Sequence, residues 1–234
     1  LDNAGITAKA TGITHGTVTA ILDGRSFEIT TLRHDIETDG RHAVVAFTDD
    51  WAEDAARRDF TMNALFMDLN GEILDPIKGQ NDALHGRVRF VGEPARRIEE
   101  DALRILRFFR FQAQYGRGPM DPNGLDACER NAALQAKLSG ERIRAELLKL
   151  LDARGANSVT RSMVGAGILA PLFQGEPNID ALGRLIALET EIDIAQPDAL
   201  RRLAILLAPT GEATADRLRL SNAECVRFLA ISTD

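Results

Sequence analysis

One stretch decides the fold, Arg97 to Phe111, which reads R-I-E-E-D-A-L-R-I-L-R-F-F-R-F. At 100° per residue its apolar side chains fall on one face of a helix and its charged side chains on the opposite face. The apolar set is Ala102, Ile105, Leu106 and Phe109, and the charged set is Glu100, Arg104 and Arg107, with Asp101 at its edge. The pattern predicts one continuous helix with a buried stripe. Taken alone, its charges are also typical of an exposed helix with i,i+4 ion pairs.

The composition is typical of a globular protein. The chain has 234 residues, 44% hydrophobic and 27% charged, which is enough to form a core in one to three domains. No apolar run is long enough to cross a bilayer, so we expect no membrane contact. Cys128 and Cys225 lie far apart without metal-type spacing, which predicts two reduced thiols and a cytoplasmic location.

The charge is distributed unevenly along the chain. A net charge of −7 argues against a protein that coats nucleic acid indiscriminately. Residues 87–111 are an exception, because they contain seven arginines against four acidic residues, a local charge of +3. A basic strip in an acidic chain fits a defined polyphosphate or RNA site.

The front of the chain predicts antiparallel β-structure. Two β-rich runs, Thr17–Leu22 and Ser26–Leu32, flank Asp23-Gly24, which is a strong hairpin signal. Glu28 projects from one face of the second strand. A solvent-facing carboxylate is the simplest interpretation of that residue.

The predicted secondary structure changes several times over residues 33–91. Arg33 to Asp50 is polar and predicts a long loop of the kind that is often functional. A helix is predicted after Trp51, a second hairpin over residues 65–74 around Asn70-Gly71, and a short strand over Val88–Val91.

The rest of the chain is helical in pattern, with glycine and proline between segments. The clearest segments are Glu141–Leu151, Asp180–Glu189 and Asp198–Leu207. We therefore predict an α+β fold with a β-containing head over residues 1–86. A helical neck would span residues 87–152 and a helical body residues 153–234.

A second charged motif precedes the central helix, Arg57-Arg58-Asp59-Phe60-Thr61-Met62-Asn63. Adjacent guanidinium groups can pair bidentately with phosphate oxygens. Asp59 and Asn63, four residues apart, could lie on one side of a helical turn and hydrogen-bond a ribose. A surface salt-bridge patch is the alternative explanation of R-R-D by itself.

Three segments resemble the class II family of tRNA nucleotidyltransferases (CCA-adding enzymes) and bacterial poly(A) polymerases. They are R-R-D-F-T-M-N-A-L from Arg57, D-P-I-K-G from Asp75 and E-D-A-L-R-I-L-R-F-F-R-F from Glu100. The resemblance covers about Thr11 to Leu151, and the later helices only loosely. It implies a nucleotidyltransferase head, a neck that recognises the nucleotide and a body that holds tRNA. The implied reaction joins CTP and ATP to the 3′ end of tRNA without a nucleic-acid template.

The resemblance also implies roles for individual residues. Asp59 and Asn63 would contact the ribose and so select ribonucleotides. Arg57, Arg58 and Arg107 would hold phosphates.

Base recognition is implied for Asp101 and Arg104. Their chemistry fits, because cytosine and adenine both present an amino group beside a ring-nitrogen acceptor, which match a carboxylate and a guanidinium. Uracil and guanine would place a carbonyl against the carboxylate. The segment Asp35–Thr48 resembles the flexible loop that helps the family switch from C to A.

The family's metal-binding motif is the main departure. The T-G-x-x-H-G-T segment is present (Thr11, Gly12, His15, Gly16, Thr17), but no Gly-Gly turn or Asp-x-Asp pair precedes it. Only Glu28 resembles a supporting catalytic carboxylate, and one carboxylate cannot hold two Mg²⁺ ions. We therefore expect a fragment of a longer enzyme, inactive as given, for which Mg²⁺ is the implied cofactor.

Other functions remain open from the sequence. A poly(A) polymerase, or an enzyme adding only CC or only A, carries the same motifs. A non-catalytic RNA-binding module using the rear helices would belong to a different class.

Overall fold

The computed structural model describes residues 5–12, 16–39, 42–192 and 196–232, and in it small antiparallel sheets precede a run of helices. This order confirms the predicted α+β class. The strands are β1 (Thr7–Gly12), β2 (Thr17–Leu22), β3 (Arg25–Thr30), β4 (Arg33–Asp39), β5 (His42–Phe47), β6 (Phe66–Met67) and β7 (Ile73–Leu74). The helices are α1 (Trp51–Ala56), α2 (Gln80–His85), α3 (Pro94–Glu100), α4 (Leu103–Tyr115), α5 (Pro122–Arg130), α6 (Gly140–Asp152), α7 (Ala156–Gly165), α8 (Ile179–Glu191), α9 (Ala199–Leu206), α10 (Gly211–Arg217) and α11 (Asn222–Ser232).

The first sheet has the order β1-β2-β3, with both pairs antiparallel. The predicted hairpin is confirmed, since β2 pairs with β3 from Thr17 opposite Thr30 to Leu22 opposite Arg25. Glu28 belongs to β3, which is exposed along its length, and lies opposite Thr19 of β2. His15, which belongs to the T-G-x-x-H-G-T segment, lies outside the described residues.

The prediction of a loop over Arg33 to Asp50 is wrong for most of that range. Strands β4 and β5 form a two-stranded antiparallel sheet, with Arg33 opposite Phe47 and a register shift between Asp35 and Glu37. The reason lies in the A-V-V-A-F run of β5, because β-branched and aromatic residues favour strands. The segment Asp35–Thr48, expected to be a flexible loop, is therefore largely a hairpin, and residues 40–41 lie outside the described ones.

The prediction of one continuous helix over Arg97 to Phe111 is also wrong in one respect. The helix is interrupted after Glu100, so that α3 and α4 are separate elements. Asp101 adopts extended backbone angles (φ −154°, ψ 106°), and its carboxylate accepts a hydrogen bond from the Leu103 N–H at 3.1 Å. Aspartate favours helix starts over helix interiors because it satisfies such N–H groups. Apolar periodicity does not detect this break.

An aromatic cluster joins the front of the chain to α4. Phe60 is fully buried, and its ring centroid lies 5.0 Å from that of Phe90 and 4.8 Å from that of Phe111. Phe90 stacks on Phe108 at 5.4 Å. The strand predicted over Val88–Val91 is reduced to a single bridge between Phe60 and Phe90. This cluster fixes the second charged motif against the neck helix.

The rear of the chain is helical, as predicted. Helices α6 and α8 contain the first two predicted segments and α9 lies within the third, while α4 packs on both α6 and α7. One cluster of buried apolar residues runs from Phe60 to Phe228, so the segments predicted as neck and body share a core. The boundary between residues 152 and 153 remains a prediction.

Candidate functional site

The two adjacent arginines of the second motif follow α1 and share one partner. Asp54, on α1, is only 1% exposed. Its Oδ1 accepts hydrogen bonds from Nε and Nη2 of Arg57 at 2.9 and 2.5 Å. Its Oδ2 accepts from Nε and Nη2 of Arg58 at 3.1 and 3.0 Å. Asp54 was not among the predicted site residues, although its i,i+3 and i,i+4 spacing to the two arginines was a signal.

The charge of Asp54 is stabilised by these contacts. Burial alone would raise the pKa of Asp54, but hydrogen bonds and charge from Arg57, a hydrogen bond from Arg58 and one from the Arg33 N–H leave this pKa below its ordinary value. A carboxylate with a lowered pKa stabilises the fold above its unfolded-state pKa of about 3.9, and that contribution is lost as the pH falls below it.

Asp54→Asn should therefore change the acid sensitivity of the fold. We expect it to reduce the free energy of unfolding more at pH 7 than at pH 3, because the carboxylate is already largely protonated in the unfolded chain at pH 3, so its lowered pKa in the fold stabilises less there. Urea denaturation between pH 2.5 and 7 measures this difference. Asp126→Asn, at a carboxylate that is 55% exposed, is the control and should have little effect. A loss that is equal at both pH values would contradict the assignment.

Asp59 brings together three of the predicted site residues. Its Oδ1 accepts from Asn63 Nδ2 at 2.9 Å and from the Phe60 N–H at 3.0 Å. Its Oδ2 accepts from Nε and Nη2 of Arg107 at 2.6 and 2.5 Å. The juxtaposition of Asp59 and Asn63 follows the predicted spacing. The contact with Arg107 joins the motif to α4.

Arg97 fastens α3 to the arginine pair. Its guanidinium donates to the backbone carbonyls of both Arg57 and Arg58, the second at 2.8 Å. It also pairs with Glu100 at 2.5 Å. Because Arg97 is buried, these bonds form a rigid connection between the motif and the neck.

Asp101 and Arg104 each have an internal partner. Asp101 Oδ2 accepts from Nη2 of Arg142 at 2.6 Å. Arg104 Nη1 donates to Glu100 at 2.6 Å and to the Arg97 carbonyl at 2.8 Å. The Asp101 and Arg104 side chains are 23% and 13% exposed, so both reach the surface of the neck. Asp101 lies at the helix break and Arg104 in the first turn of α4, and their role in reading a base remains a prediction.

The D-P-I-K-G segment supports the second motif. Asp75 accepts hydrogen bonds from the N–H groups of Gly79 at 2.7 Å and Gln80 at 2.9 Å. A side chain at position 79 would place its Cβ 2.0 Å from the Thr61 carbonyl oxygen, so the close approach requires glycine. Thr61 in turn donates to the fully buried Asp82 at 2.7 Å.

A cavity of about 670 Å³ opens beside the motif. Its lining includes Asn63, Phe111, Tyr115, Arg117 and Arg154. The Tyr115 side chain is half-exposed. Neither arginine has an ion-pair partner within the part of the chain that the structure describes. The cavity therefore combines an accessible ring with positive charge.

Two family models match separate parts of the chain. One, described as "Poly A polymerase head domain", matches residues 1–89. The other, described as "Probable RNA and SrmB- binding site of polymerase A", matches residues 119–182.

Curated relatives agree with these matches. The human CCA tRNA nucleotidyltransferase 1, mitochondrial, is 42% identical over 218 residues, which are 91% of this chain and 49% of that protein. The CCA-adding enzyme of Bacillus pumilus (strain SAFR-032) is 39% identical over 163 residues, 69% of this chain and 40% of that enzyme. The chain belongs to the family of CCA-adding nucleotidyltransferases and poly(A) polymerases.

Solved structures of CCA-adding enzymes share the fold. The Bacillus stearothermophilus CCA-adding enzyme in complex with CTP is 30% identical, with a TM-score of 0.77 over 97% of this chain and 56% of that one. The Thermotoga maritima CCA-adding enzyme complexed with tRNA is 19% identical with a TM-score of 0.69, which shows the fold alone. The chain spans about half the length of the curated relatives it matches. None of the described helices is long and apolar enough to cross a membrane.

The described residues of this family member do not fit a metal site. Among them no group of three or more His, Cys, Asp or Glu could hold a metal ion. Glu28, the predicted supporting carboxylate, lies on the exposed strand β3. Nucleotidyl transfer by polymerases generally uses divalent metal ions held by several carboxylates. We therefore assign no step to a metal within this part of the protein.

Proposed function

We propose that this chain carries the nucleotide-recognising part of an enzyme that adds CTP and ATP to the 3′ end of tRNA without a nucleic-acid template. The observation that carries the proposal is the contact of Arg107 with Asp59. Arg107 lies on α4 three residues after Arg104, so one short helix links the motif proposed for ribose and phosphate to the residues proposed for the base.

Phosphate binding is proposed for Arg57, Arg58 and Arg107. A guanidinium has five N–H donors, so each arginine keeps donors beyond those it uses on a carboxylate. The Arg57, Arg58 and Arg107 side chains are 18%, 31% and 28% exposed. Asp54 and Asp59 hold them in place before a triphosphate arrives, which reduces the ordering cost of binding.

Ribose recognition is proposed for Asp59 and Asn63. Both side chains carry oxygens that can accept from a hydroxyl, and the Asn63 amide can also donate. A 2′-hydroxyl placed between them would satisfy both groups, whereas a deoxyribose would leave them without that partner. Selection of ribonucleotides follows from this difference.

Base recognition is proposed for Asp101 and Arg104. The carboxylate would accept from the amino group of cytosine or adenine, and the guanidinium would donate to the adjacent ring nitrogen. Arg104 is already held by Glu100, so its direction is fixed. A good bidentate contact discriminates between bases by roughly 1–3 kcal/mol.

RNA binding is proposed for the helical rear, with the tRNA 3′ end as the partner. The match over residues 119–182 and the cavity with Tyr115, Arg117 and Arg154 support it. Aromatic rings stack on unpaired bases and arginines attract the phosphate backbone. The division into a partial nucleotidyltransferase head over residues 1–86, a neck over 87–152 and a body over 153–234 forms part of this proposal.

The remaining parts of the proposal rest on the family. Mg²⁺ is the metal we propose for the reaction, with Glu28 as a supporting carboxylate, and its principal ligands are not among the described residues. We also propose a cytoplasmic location. Two unpaired thiols are consistent with it, and the buried Cys128 has its pKa raised well above the ordinary range by desolvation.

A poly(A) polymerase is the second candidate, because both matching family descriptions name that enzyme. A non-catalytic RNA-binding module is the alternative from another class. It predicts RNA binding that does not respond to CTP.

The chain should bind CTP and ATP in preference to UTP and GTP, and its affinity for tRNA lacking the 3′ end should respond to CTP. Titration calorimetry with each nucleotide, with and without the tRNA, measures both. The chain alone should incorporate neither nucleotide, so the two candidate reactions are compared in the longer enzyme, supplied with labelled CTP and ATP, Mg²⁺ and the same tRNA. A product that stops after three nucleotides supports CCA addition, whereas a long A tract identifies the poly(A) polymerase. RNA affinity that is indifferent to every nucleotide would overturn the proposal.

A further inference from the structure

We propose that Arg142 and Glu146, one turn apart on α6, are positioning residues for nucleotide recognition, Arg142 for selection of the base and Glu146 for binding of the phosphates. The inference rests on the proposed function and deepens it. Neither residue belongs to the charged motifs of the neck. Each contacts a group of opposite charge that the proposed function uses, Arg142 on Asp101 and Glu146 on Arg107.

Arg142 fixes the carboxylate proposed to read the base. Asp101 Oδ2 accepts from Arg142 Nη2 at 2.6 Å, while Oδ1 accepts from the Leu103 N–H at 3.1 Å. Each oxygen is thus held by one donor. A carboxylate has about four lone-pair sites, so acceptor capacity remains for an amino group of a base. Because Asp101 lies at a helix break, the backbone alone does not determine where its carboxylate points.

Glu146 acts on the arginines of α4. It is 5% exposed, and its Oε2 accepts from Nε of Arg110 at 2.5 Å. Its Oε1 lies 3.7 Å from Nη1 of Arg107, whereas Asp59 accepts from Nε and Nη2 of the same guanidinium. Arg107 is thereby held between two carboxylates. Its orientation toward a phosphate depends on both of them.

Helix α6 therefore contacts the base-reading side and the phosphate side of the site at once. Residues four apart lie on one face of a helix, so a single face of α6 serves both contacts. This helix falls within residues 119–182, which match the RNA-binding family description. A catalytic constellation needs supporting groups that hold it within about 0.5 Å of its working geometry. Arg142 and Glu146 supply that support.

The two residues should have separable effects. Arg142→Ala should lower the preference for CTP over UTP by about 5- to 10-fold, because a charge-assisted hydrogen bond that orients Asp101 is lost. Arg142→Lys should restore part of the preference. Arg144→Ala, on the same helix but paired with Glu224, should leave the preference unchanged. Calorimetric dissociation constants for CTP and UTP on the full chain give the ratio, and thermal melts confirm folding.

A double variant tests whether Arg142 acts through Asp101. In the Asp101→Ala background, Arg142→Ala should cause no further loss of preference, because the coupled effects are not additive. If Asp101→Ala alone leaves the CTP to UTP ratio unchanged, the base-reading proposal itself is wrong. If Asp101→Ala lowers the ratio but Arg142→Ala and Arg142→Lys do not, the positioning role is wrong. Tighter CTP binding by Arg142→Ala would also overturn it, and Arg142→Lys decides if the alanine variant does not fold.

Glu146→Gln should weaken binding of CTP and UTP equally, by about 3- to 10-fold, and so leave the ratio intact. This change keeps the size of the buried side chain, removes its charge and replaces one of its two acceptor oxygens with an N–H donor. A changed ratio, or unchanged affinity for both nucleotides in a folded variant, would contradict the role assigned to Glu146.

Discussion

Phe60→Ala should reduce the free energy of unfolding by about 3–5 kcal/mol, the range for deletion of a buried aromatic ring. Phe60 is fully buried, and its ring contacts those of Phe90, Phe108 and Phe111. The loss is large because Phe108 and Phe111 lie on α4 and Phe90 is paired with Phe60 through a backbone bridge, which limits collapse of these rings into the space. Domains are typically stable by only 5–15 kcal/mol, so the variant should unfold at a much lower urea concentration.

The matched control is Phe27→Ala. Phe27 lies on β3 and is 49% exposed, so its removal should change stability by no more than about 0.5 kcal/mol. Urea denaturation followed by circular dichroism compares the two variants. A loss below about 1 kcal/mol for Phe60→Ala would mean that the motif is not anchored on the neck by this cluster.

Asp101→Ala should abolish most of the discrimination between CTP and UTP. Loss of the proposed contact with the amino group of cytosine should lower the preference for CTP over UTP, measured as the ratio of their dissociation constants, by about 5- to 100-fold. The fold should survive, because Asp101 is partly exposed and lies outside the hydrophobic core. Asp101→Asn should also relax the preference, since an amide can present either an acceptor or a donor to the base.

Glu99→Ala is the control for the loss of one negative charge. Glu99 is exposed near the end of α3, two residues from Asp101, and should not contact the base. Its removal should leave the ratio of CTP to UTP affinity unchanged. Equal changes in Glu99→Ala and Asp101→Ala would indicate a general electrostatic effect instead of base recognition.

Local sequence signals predicted much of this structure. The Asp23-Gly24 and Asn70-Gly71 hairpins are confirmed because their turn residues favour a single geometry. The Asp59–Asn63 contact follows from spacing within one short segment. Helices α6, α8 and α9 follow from apolar periodicity.

Features that depend on contacts distant in sequence were not predictable in the same way. The helix break at Asp101 preserves the charge pattern around it, so periodicity alone favoured a continuous helix. Arg142 lies 41 residues from Asp101, and its position on α6 gives no local indication of that partner. Asp54 and Glu146 were missed because a buried carboxylate is identified by the arginines that reach it in the folded chain.

The central claim is that a carboxylate and a guanidinium on the neck take the place of a template base. A structure of the chain with bound CTP tests it most directly. We predict the cytosine amino group within about 2.7–3.2 Å of the Asp101 carboxylate and the ring nitrogen N3 at a similar distance from the Arg104 guanidinium. The claim would be contradicted by a structure in which cytosine binds away from α3 and α4 and the Asp101 carboxylate keeps its pairing with Arg142 without contacting the base.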